Sequence, residues 1–437
     1  MKKINVLYDA TPIVEGMNTA SVTRAGIFWC AYNILKQFNE NPQYKITLLV
    51  PPGIMFKKKS DINNFLSSFP SIKFAMIDQN VLYKNIKVHK NEIVKTRNII
   101  FIMIRIIKIF YNMIMIPLSK TGKKIINNFD VFFSPVYTIP EKVKKNKDII
   151  LFHILHDCIA SLKIIPTDIQ ANQNDWYIKM IQGLNKGTYY FCNSECTKNG
   201  FLKLFPKQLD ESKMFAIPHA TSQNFNPNYD KYALQKVLQK YGIIKKTEDC
   251  YIFSFCSINP RKNIVFTIKC FIKFIIKHKI DNLYFFLGGA HFPEYINQFE
   301  KEIDEFANYK EKIIRLGYVY DEDVNILYSN SMFFTYLSQY EGFGVPPLEA
   351  MQAGTPVICS NNSSLPEVVG DAAITIPYND ENACIKAFED LYFNEELRKF
   401  YINKGLERAK LFSWKKTFTL MNDIIMDILS KHEKNSN

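Results

Sequence analysis

Two carboxylates, Glu341 and Glu349, bracket a glycine- and proline-rich loop in the stretch YEGFGVPPLEAMQAGTPV, residues 340–357. Gly342 and Gly344 free the backbone at two positions, and Pro346 and Pro347 suit the first turn of a helix, where a missing N–H costs little. The N–H groups of Gly342, Phe343, Gly344 and Val345 then fall at the positive end of a helix dipole, which suits a phosphate. Glu349, read as lying in the first helical turn, can accept hydrogen bonds from vicinal hydroxyls such as those of a ribose. Glu341, on the loop, can reach a second hydroxyl-rich group beyond the phosphates. Singly, these acids would read as a helix-dipole complement and a solvated loop acid; two glycines, two prolines and both acids together favour a ligand site. A second cationic element is Arg261-Lys262, between the apolar run 251–257 and the apolar helix opening at Ile264. Cations beside free helix N–H groups form a phosphate clamp. A third candidate is His156-Asp157, at the carboxyl end of the apolar run 148–155, where α/β sheets place their ligands. His153, inside that run, reads as core.

The stretch from Glu341 to Val357 resembles the E-x7-E signature of the retaining GT-B glycosyltransferases of family 4, the glycosyl transferases group 1. Every fixed position of EGFG-x-P-x-x-EAM-x-x-GTPV is present, and PRKN at residues 260–263 matches a second family motif. The resemblance is strong from Tyr251 to Ala373 and loose before Asp130, and its closest likeness is to the mannosyltransferase-like branch. It implies that Glu349 holds the nucleotide ribose, that Glu341 contacts hydroxyls of the donor sugar, and that the loop amides meet the pyrophosphate and sugar. It implies that His156 faces the donor sugar, that the backbone around Tyr318 and Val319 lines the base pocket, and that the loop 363–368 faces the sugar. It implies no obligatory metal and no cofactor beyond the nucleotide diphosphate sugar, which is the donor substrate.

The elements that must position these residues are legible as alternating apolar runs and helical stretches. Strands are expected at residues 4–8, 44–50, 72–77, 129–135, 148–155, 189–194 and 214–219, and again at 251–257, 283–287, 313–319, 332–337 and 355–360. A polar loop is expected over residues 10–24, and Ser194 or Asn193 is placed to cap the helix that follows. Asp321-Glu322-Asp323 reads as a helix cap rather than a metal site. The family's GI-x-RY segment is only partly matched by Arg24-Ala25-Gly26-Ile27-Phe28-Trp29, so an acceptor role there has little sequence support. The fold class is α/β, the GT-B fold of two doubly wound Rossmann-like domains facing a cleft. The N-terminal acceptor-side domain takes residues 1–222, a linker 223–248, and the nucleotide-sugar domain 249–413; residues 414–437 form a helix packing back across the domains, and a tail.

Composition bounds the remaining choices. A chain of 437 residues, 47% hydrophobic and 22% charged, is globular and long enough for two domains. The net charge of +13 favours anionic partners, yet no nucleic-acid-binding motif or zinc-finger spacing accompanies it. Nine scattered cysteines without a C-x-x-C pair, and no signal peptide after Met1-Lys2-Lys3, point to a reducing, cytoplasmic setting. Residues 83–128 are basic and apolar together. Arg105 and Lys108 interrupt the apolar run 99–118 at a cost of about 5–7 kcal/mol for a spanning helix. That leaves a buried helix or an interfacial helix in peripheral contact with the anionic inner face of the cell membrane.

The expected reaction is transfer of a hexose, with retention, from a nucleotide diphosphate sugar to a hydroxyl of a lipid-linked or surface glycan in polysaccharide or lipopolysaccharide biosynthesis. GDP-mannose is the first expectation for the donor and a UDP-hexose the next. A nucleotide-sugar epimerase and a non-catalytic module binding anionic ligands or nucleic acid are the rival readings. An epimerase acts without an acceptor. DNA binding that is salt-sensitive and indifferent to nucleotide diphosphates would mark the module.

Overall fold

The computed structural model describes residues 3–18, 26–50, 69, 73–76, 128–162, 175–221, 225–243, 249–289 and 293–436. The basic and apolar segment 83–128 therefore lies, but for its last residue, outside the described residues, as do Arg24 and Ala25. Among the described residues no helix is long and apolar enough to cross a membrane.

Two parallel sheets organise the chain. The first contains β1 (Ile4–Asp9), β2 (Tyr44–Val50), β3 (Lys73–Met76), β4 (Val131–Ser134), β5 (Ile150–Leu155), β6 (Tyr189–Cys192) and β7 (Met214–Ala216), in the order β3-β2-β1-β4-β5-β6-β7. The second contains β8 (Cys250–Phe255), β9 (Leu283–Gly288), β10 (Ile313–Gly317), β11 (Phe333–Tyr336), β12 (Val357–Ser360) and β13 (Ile374–Ile376), in the order β10-β9-β8-β11-β12-β13. Every described pairing is parallel. Strands covered by helices on both faces read as unbroken apolar runs; β5, ILFHIL, is buried at all six positions. This is the doubly wound pair that the GT-B resemblance implies. In each sheet the strand order reverses, between β1 and β4 and between β8 and β11, and such a reversal opens a crevice at the strands' carboxyl ends.

Each sheet has its own core. Phe253, Phe271, Phe285, Tyr328 and Phe334 sit in the C-terminal core, while Tyr8, Phe38, Phe133 and Phe152 sit in the N-terminal one. The last helix, Trp414–Ser436, follows the C-terminal domain in sequence but buries Phe418, Met421, Ile425 and Ile428 in the N-terminal core. It straps the two halves together.

Three local readings change. Residues 11–18 form a helix, Thr11–Asn18, instead of a polar loop: Ile13 and Val14 reach the core, and the Asp9 carboxylate accepts from Thr11 N at 3.0 Å and Thr11 Oγ1 at 2.5 Å. Residues 223–248 are more than a connector, because the helix Lys231–Lys240 buries Leu234 and Leu238 in the C-terminal core. Asp321-Glu322-Asp323 forms the first turn of the helix Asp321–Ser329 rather than its cap. Asp323 accepts from Lys240 Nζ at 2.7 Å and from the Tyr241 hydroxyl at 2.9 Å, which pins that connecting helix down. Ser194 does cap the helix Glu195–Leu204, accepting from Thr197 N.

Candidate active site

One cavity of about 540 Å³ lies between the sheets, a volume within the usual range for a small-ligand site. All eleven site residues expected from sequence line it: His156, Arg261, Lys262, Tyr318, Val319, Glu341, Gly342, Phe343, Gly344, Val345 and Glu349. The C-terminal ones come from loops after β8, β10 and β11, so the site sits at the second sheet's reversal point.

The C-terminal wall is ionic. The turn Pro260–Lys262 and Asn263, with φ +57°, aim two cations back at the signature loop. Glu341 Oε1 lies 2.7 Å from Arg261 Nη1 and 2.6 Å from Lys262 Nζ, and accepts from the Tyr336 hydroxyl at 3.0 Å. Burial pushes the Glu341 carboxyl up, but Lys262 and Arg261 outweigh it and hold it down at about 2, so it stays ionised. Around Glu341 two cations face one carboxylate, while Glu349 and Asp321 add further carboxylates elsewhere on this wall. Arg261 Nε is buried without a hydrogen-bond partner among the described residues, a donor waiting for an acceptor.

Gly344, with φ +112°, turns the chain into the helix Val345–Gln352, and Pro346 and Pro347 fit inside its first turn because no N–H is needed there. The prolines thus sit in the first turn as expected, and Glu349 lies in the second turn instead of the first. Glu349 is buried, lines the cavity and accepts from the Tyr328 hydroxyl at 3.2 Å. Among the described residues, the N–H groups of Gly342, Phe343, Gly344 and Val345 have no hydrogen-bond partner, as an anion site requires. The loop 363–368 does not line this cavity but buttresses the signature loop from behind. Ser363 Oγ accepts from Glu341 N at 3.0 Å, and Ser364 Oγ donates to the Phe343 carbonyl at 2.7 Å.

The N-terminal wall is neutral. His156 Nε2 lies 2.7 Å from the Pro135 carbonyl. A carbonyl only accepts, so Nε2 carries the proton and Nδ1 keeps its lone pair. Burial lowers the pKa of His156 and keeps the ring neutral. His153 is core as expected, buried with Nε2 3.0 Å from the Val136 carbonyl. Sequence reasoning passed over His219, Asn193, Trp29, Tyr336 and Trp414, which also line the cavity. Asn193 Nδ2 donates to the His156 carbonyl at 2.7 Å, while its Oδ1 is buried and unpartnered. His219 follows β7 just as His156 follows β5, so the rule that singled out His156 could have found it. Gly26, Ile27 and Trp29 also line the cavity, so the partly matched N-terminal segment does reach the site.

The walls meet at Gly342. Its carbonyl accepts from Ser194 Oγ at 2.7 Å and Thr197 Oγ1 at 3.1 Å, and a Cβ there would fall 2.3 Å from the His156 carbonyl oxygen. Only glycine permits this approach.

Residues 239–408, which carry the whole ionic wall, match the family of glycosyl transferases group 1. The O-antigen chain mannosyltransferase B of Escherichia coli is 29% identical over 284 residues, 65% of this chain and 66% of that protein. Over residues 239–408 this chain is similar to the glycosyl transferases group 1. The serotype-specific mannosyltransferase WbdA of Escherichia coli is 26% identical over 270 residues, 60% of this chain but only 32% of that protein. The chain thus spans less than two thirds of the length of these relatives. The solved structure of sucrose-phosphate synthase from Thermosynechococcus elongatus superposes with a TM-score of 0.66 at 14% identity, covering 98% of this chain and 100% of that one. A likeness at that identity concerns fold, and it extends over both domains: the chain has the GT-B architecture throughout.

Proposed function

We propose that this chain is a retaining hexosyltransferase of family 4 acting in surface polysaccharide biosynthesis, with GDP-mannose as donor and a lipid-linked or surface glycan hydroxyl as acceptor. The observation that carries the reading is the pairing of the two walls in one cavity. Two cations clustered at Glu341 and four unpartnered amides face neutral lone pairs on His156 and Asn193. The diphosphate binds Arg261, Lys262 and the loop N–H groups, and Arg261 Nε gains its acceptor. The ribose hydroxyls reach Glu349, and the base lies beside Tyr318 and Val319. The sugar hydroxyls meet His156 Nδ1, Asn193 and Glu341.

Transfer breaks the bond from the anomeric carbon to the phosphate oxygen and forms a bond from that carbon to the acceptor oxygen. The acceptor proton passes to the departing phosphate. The charge growing on the diphosphate is met by fixed donors, so these groups act more strongly in the transition state than in the ground state. Glu341 is a poor nucleophile here, because three donors already engage one of its oxygens. That favours attack from the face of the leaving group, with retention. Mannose and GDP are favoured over a UDP-hexose by the mannosyltransferases among the relatives. The net charge of +13 and nine free cysteines support a cytoplasmic protein in peripheral contact with an anionic membrane face.

The test is a thermal-shift panel with GDP, UDP, ADP and CDP on the wild type and on Arg261→Ala, followed by transfer from GDP-mannose. Ligand at about 100 times its Kd adds roughly 2.7 kcal/mol. A response to GDP that the variant loses supports the donor reading, and a response to UDP alone replaces mannose with a UDP-hexose. Silence with every nucleotide overturns the site. Conversion of the donor sugar without an acceptor would instead reveal an epimerase.

A further inference from the structure

Cys30, His156 and His219 come from three separate elements: the helix Gly26–Glu40, the end of β5 and the segment after β7. Their donor atoms nevertheless all lie within 4.8 Å of one another. Among the described residues, this is the cluster of three thiol, imidazole or carboxylate groups close enough to share an ion. Cys30 Sγ is 3.8 Å from His219 Nε2. In a tetrahedral zinc site, with Zn–S about 2.3 Å and Zn–N about 2.0–2.1 Å, neighbouring donor atoms stand about 3.3–3.6 Å apart. A contraction on the order of 1 Å therefore closes the cluster around an ion.

The donor chemistry is selective. One thiolate and two imidazoles suit zinc and reject magnesium or calcium, which demand oxygen. His156 already carries the outer hydrogen bond typical of a metal-bound histidine: Nε2–H to the Pro135 carbonyl, with Nδ1 left as the lone-pair nitrogen. His219 is held between the rings of Phe343 and Trp414, at centroid distances of 5.9 and 5.5 Å. Three protein ligands leave a fourth position, and His156 and His219 both line the cavity, which offers the way in.

We propose that Cys30, His156 and His219 form an inhibitory site for a thiophilic divalent cation of the zinc class, which on binding takes His156 out of the sugar-binding wall. Binding converts the Cys30 thiol to a thiolate and releases its proton to solvent. No ion is needed for the transfer step, and the ionic wall that holds the diphosphate is left untouched. The binding half of the proposal stands on the cluster alone. The inhibitory half rests on the reading of the cavity as a transferase site.

The full-length protein is titrated with Co²⁺, whose thiolate complexes show a near-ultraviolet charge-transfer band and whose tetrahedral complexes absorb strongly in the visible. Saturation at one equivalent is expected, with both signals displaced by Zn²⁺. Cys30→Ser should abolish the charge-transfer band, His219→Gln should weaken Co²⁺ binding at least tenfold, and Cys196→Ser should change neither. A band that persists in Cys30→Ser, or a weak spectrum without thiolate character in the wild type, overturns the site. Zn²⁺ should then inhibit mannosyl transfer while leaving the GDP thermal shift intact, with inhibition relieved in Cys30→Ser. Co²⁺ binding as described without inhibition overturns the regulatory half alone. A wild type that binds Co²⁺ but transfers no sugar overturns the transferase reading and leaves the metal site standing.

Discussion

The two walls of the cavity present opposite electrostatics. On the C-terminal side Arg261, Lys262 and Glu341 are in direct ionic contact, with side chains no more than 11% exposed. On the N-terminal side the lining is imidazole, amide and aromatic. Its carboxylate, Asp157, is pushed up by burial despite opposition from the Ile159 N–H and Arg261. The difference matches a ligand that is charged at one end and hydroxylated at the other. A buried pair of cations is tolerable only while something negative faces it, and Glu341 fills that role.

The contrast breaks most visibly at Glu341. Glu341→Gln keeps the shape but leaves Arg261 and Lys262 buried without their counter-charge, which should cost about 3–5 kcal/mol of stability. Urea unfolding measures the loss. GDP should restore much of it, because its diphosphate supplies the missing negative charge, so the GDP thermal shift should be larger in the variant than in the wild type. Turnover should fall at the same time. Equal stability of the two proteins would mean that the ionic contact does not hold this wall together.

Acid separates the N-terminal core behind one wall from the ionic wall by pH. Burial, partly opposed by its bond to the Val136 carbonyl, lowers the pKa of His153 to about 4. The folded state therefore prefers the neutral ring, and this contribution is lost as pH falls from 6.5 through about 4. The span corresponds to about 3 kcal/mol. Glu341, held at about 2, contributes above its ordinary 4.5, and that stability is lost only as pH falls from 4.5 towards 2, again by about 3 kcal/mol. His153→Gln should flatten the upper limb of the stability–pH curve, and Glu341→Gln the lower one. A single limb that ignores both variants would show that neither His153 nor Glu341 sets the acid dependence.

The same contrast explains what could be read in the sequence. The ionic wall comes from two contiguous stretches, residues 259–263 and 340–349, because a loop leaving a strand and entering a helix places its cations, amides and acids within a few residues. The neutral wall is assembled from residues 26, 27, 29, 156, 193, 219 and 414. Each arrives at the end of a different element, so no local spacing ties Cys30 to His219 or Trp414 to either. The strands were legible because parallel strands buried on both faces are continuous apolar runs. The helix at residues 11–18 was not, because its start depends on Asp9 accepting from Thr11 and its face on burial of Ile13 and Val14. The prolines were rightly placed in the first turn of the helix bearing Glu349, but Glu349 itself falls just past that turn, a difference too small for local pattern to resolve.

The walls act together only while they stay in contact, and Gly342 is the point of contact. Gly342→Ala would place a Cβ 2.3 Å from the His156 carbonyl oxygen and 2.7 Å from Asp157 Cβ. Backbone cannot yield there as a flexible side chain would, so the walls must part. A misplacement of about 1 Å costs roughly 100-fold in turnover. On the proposed reading GDP contacts the C-terminal wall alone, so its binding should be nearly retained. Loss of GDP binding together with turnover would show that the nucleotide site also depends on the N-terminal domain.

The smallest effect concerns a second tie between the walls. The Glu367 carboxylate, from the C-terminal domain, accepts from Glu195 N and Cys196 N at 2.8 Å each, at the start of the N-terminal helix Glu195–Leu204. It supplements Ser194 by satisfying two N–H groups that the helix itself cannot. Arg408 fixes the backbone behind it through the Val368 carbonyl at 2.9 Å. Capping interactions are worth about 0.5–2 kcal/mol, and here that energy favours closure of the two domains rather than folding of either. Glu367→Ala should therefore leave the urea midpoint of each domain almost unchanged. Turnover should fall by about fivefold, the equivalent of about 1 kcal/mol, with the larger share of the loss relieved at saturating donor, which itself bridges the walls. A drop in stability with turnover intact would instead assign Glu367 to the folding of its helix partner and leave Gly342 and its two hydroxyl donors as the contact that sets closure.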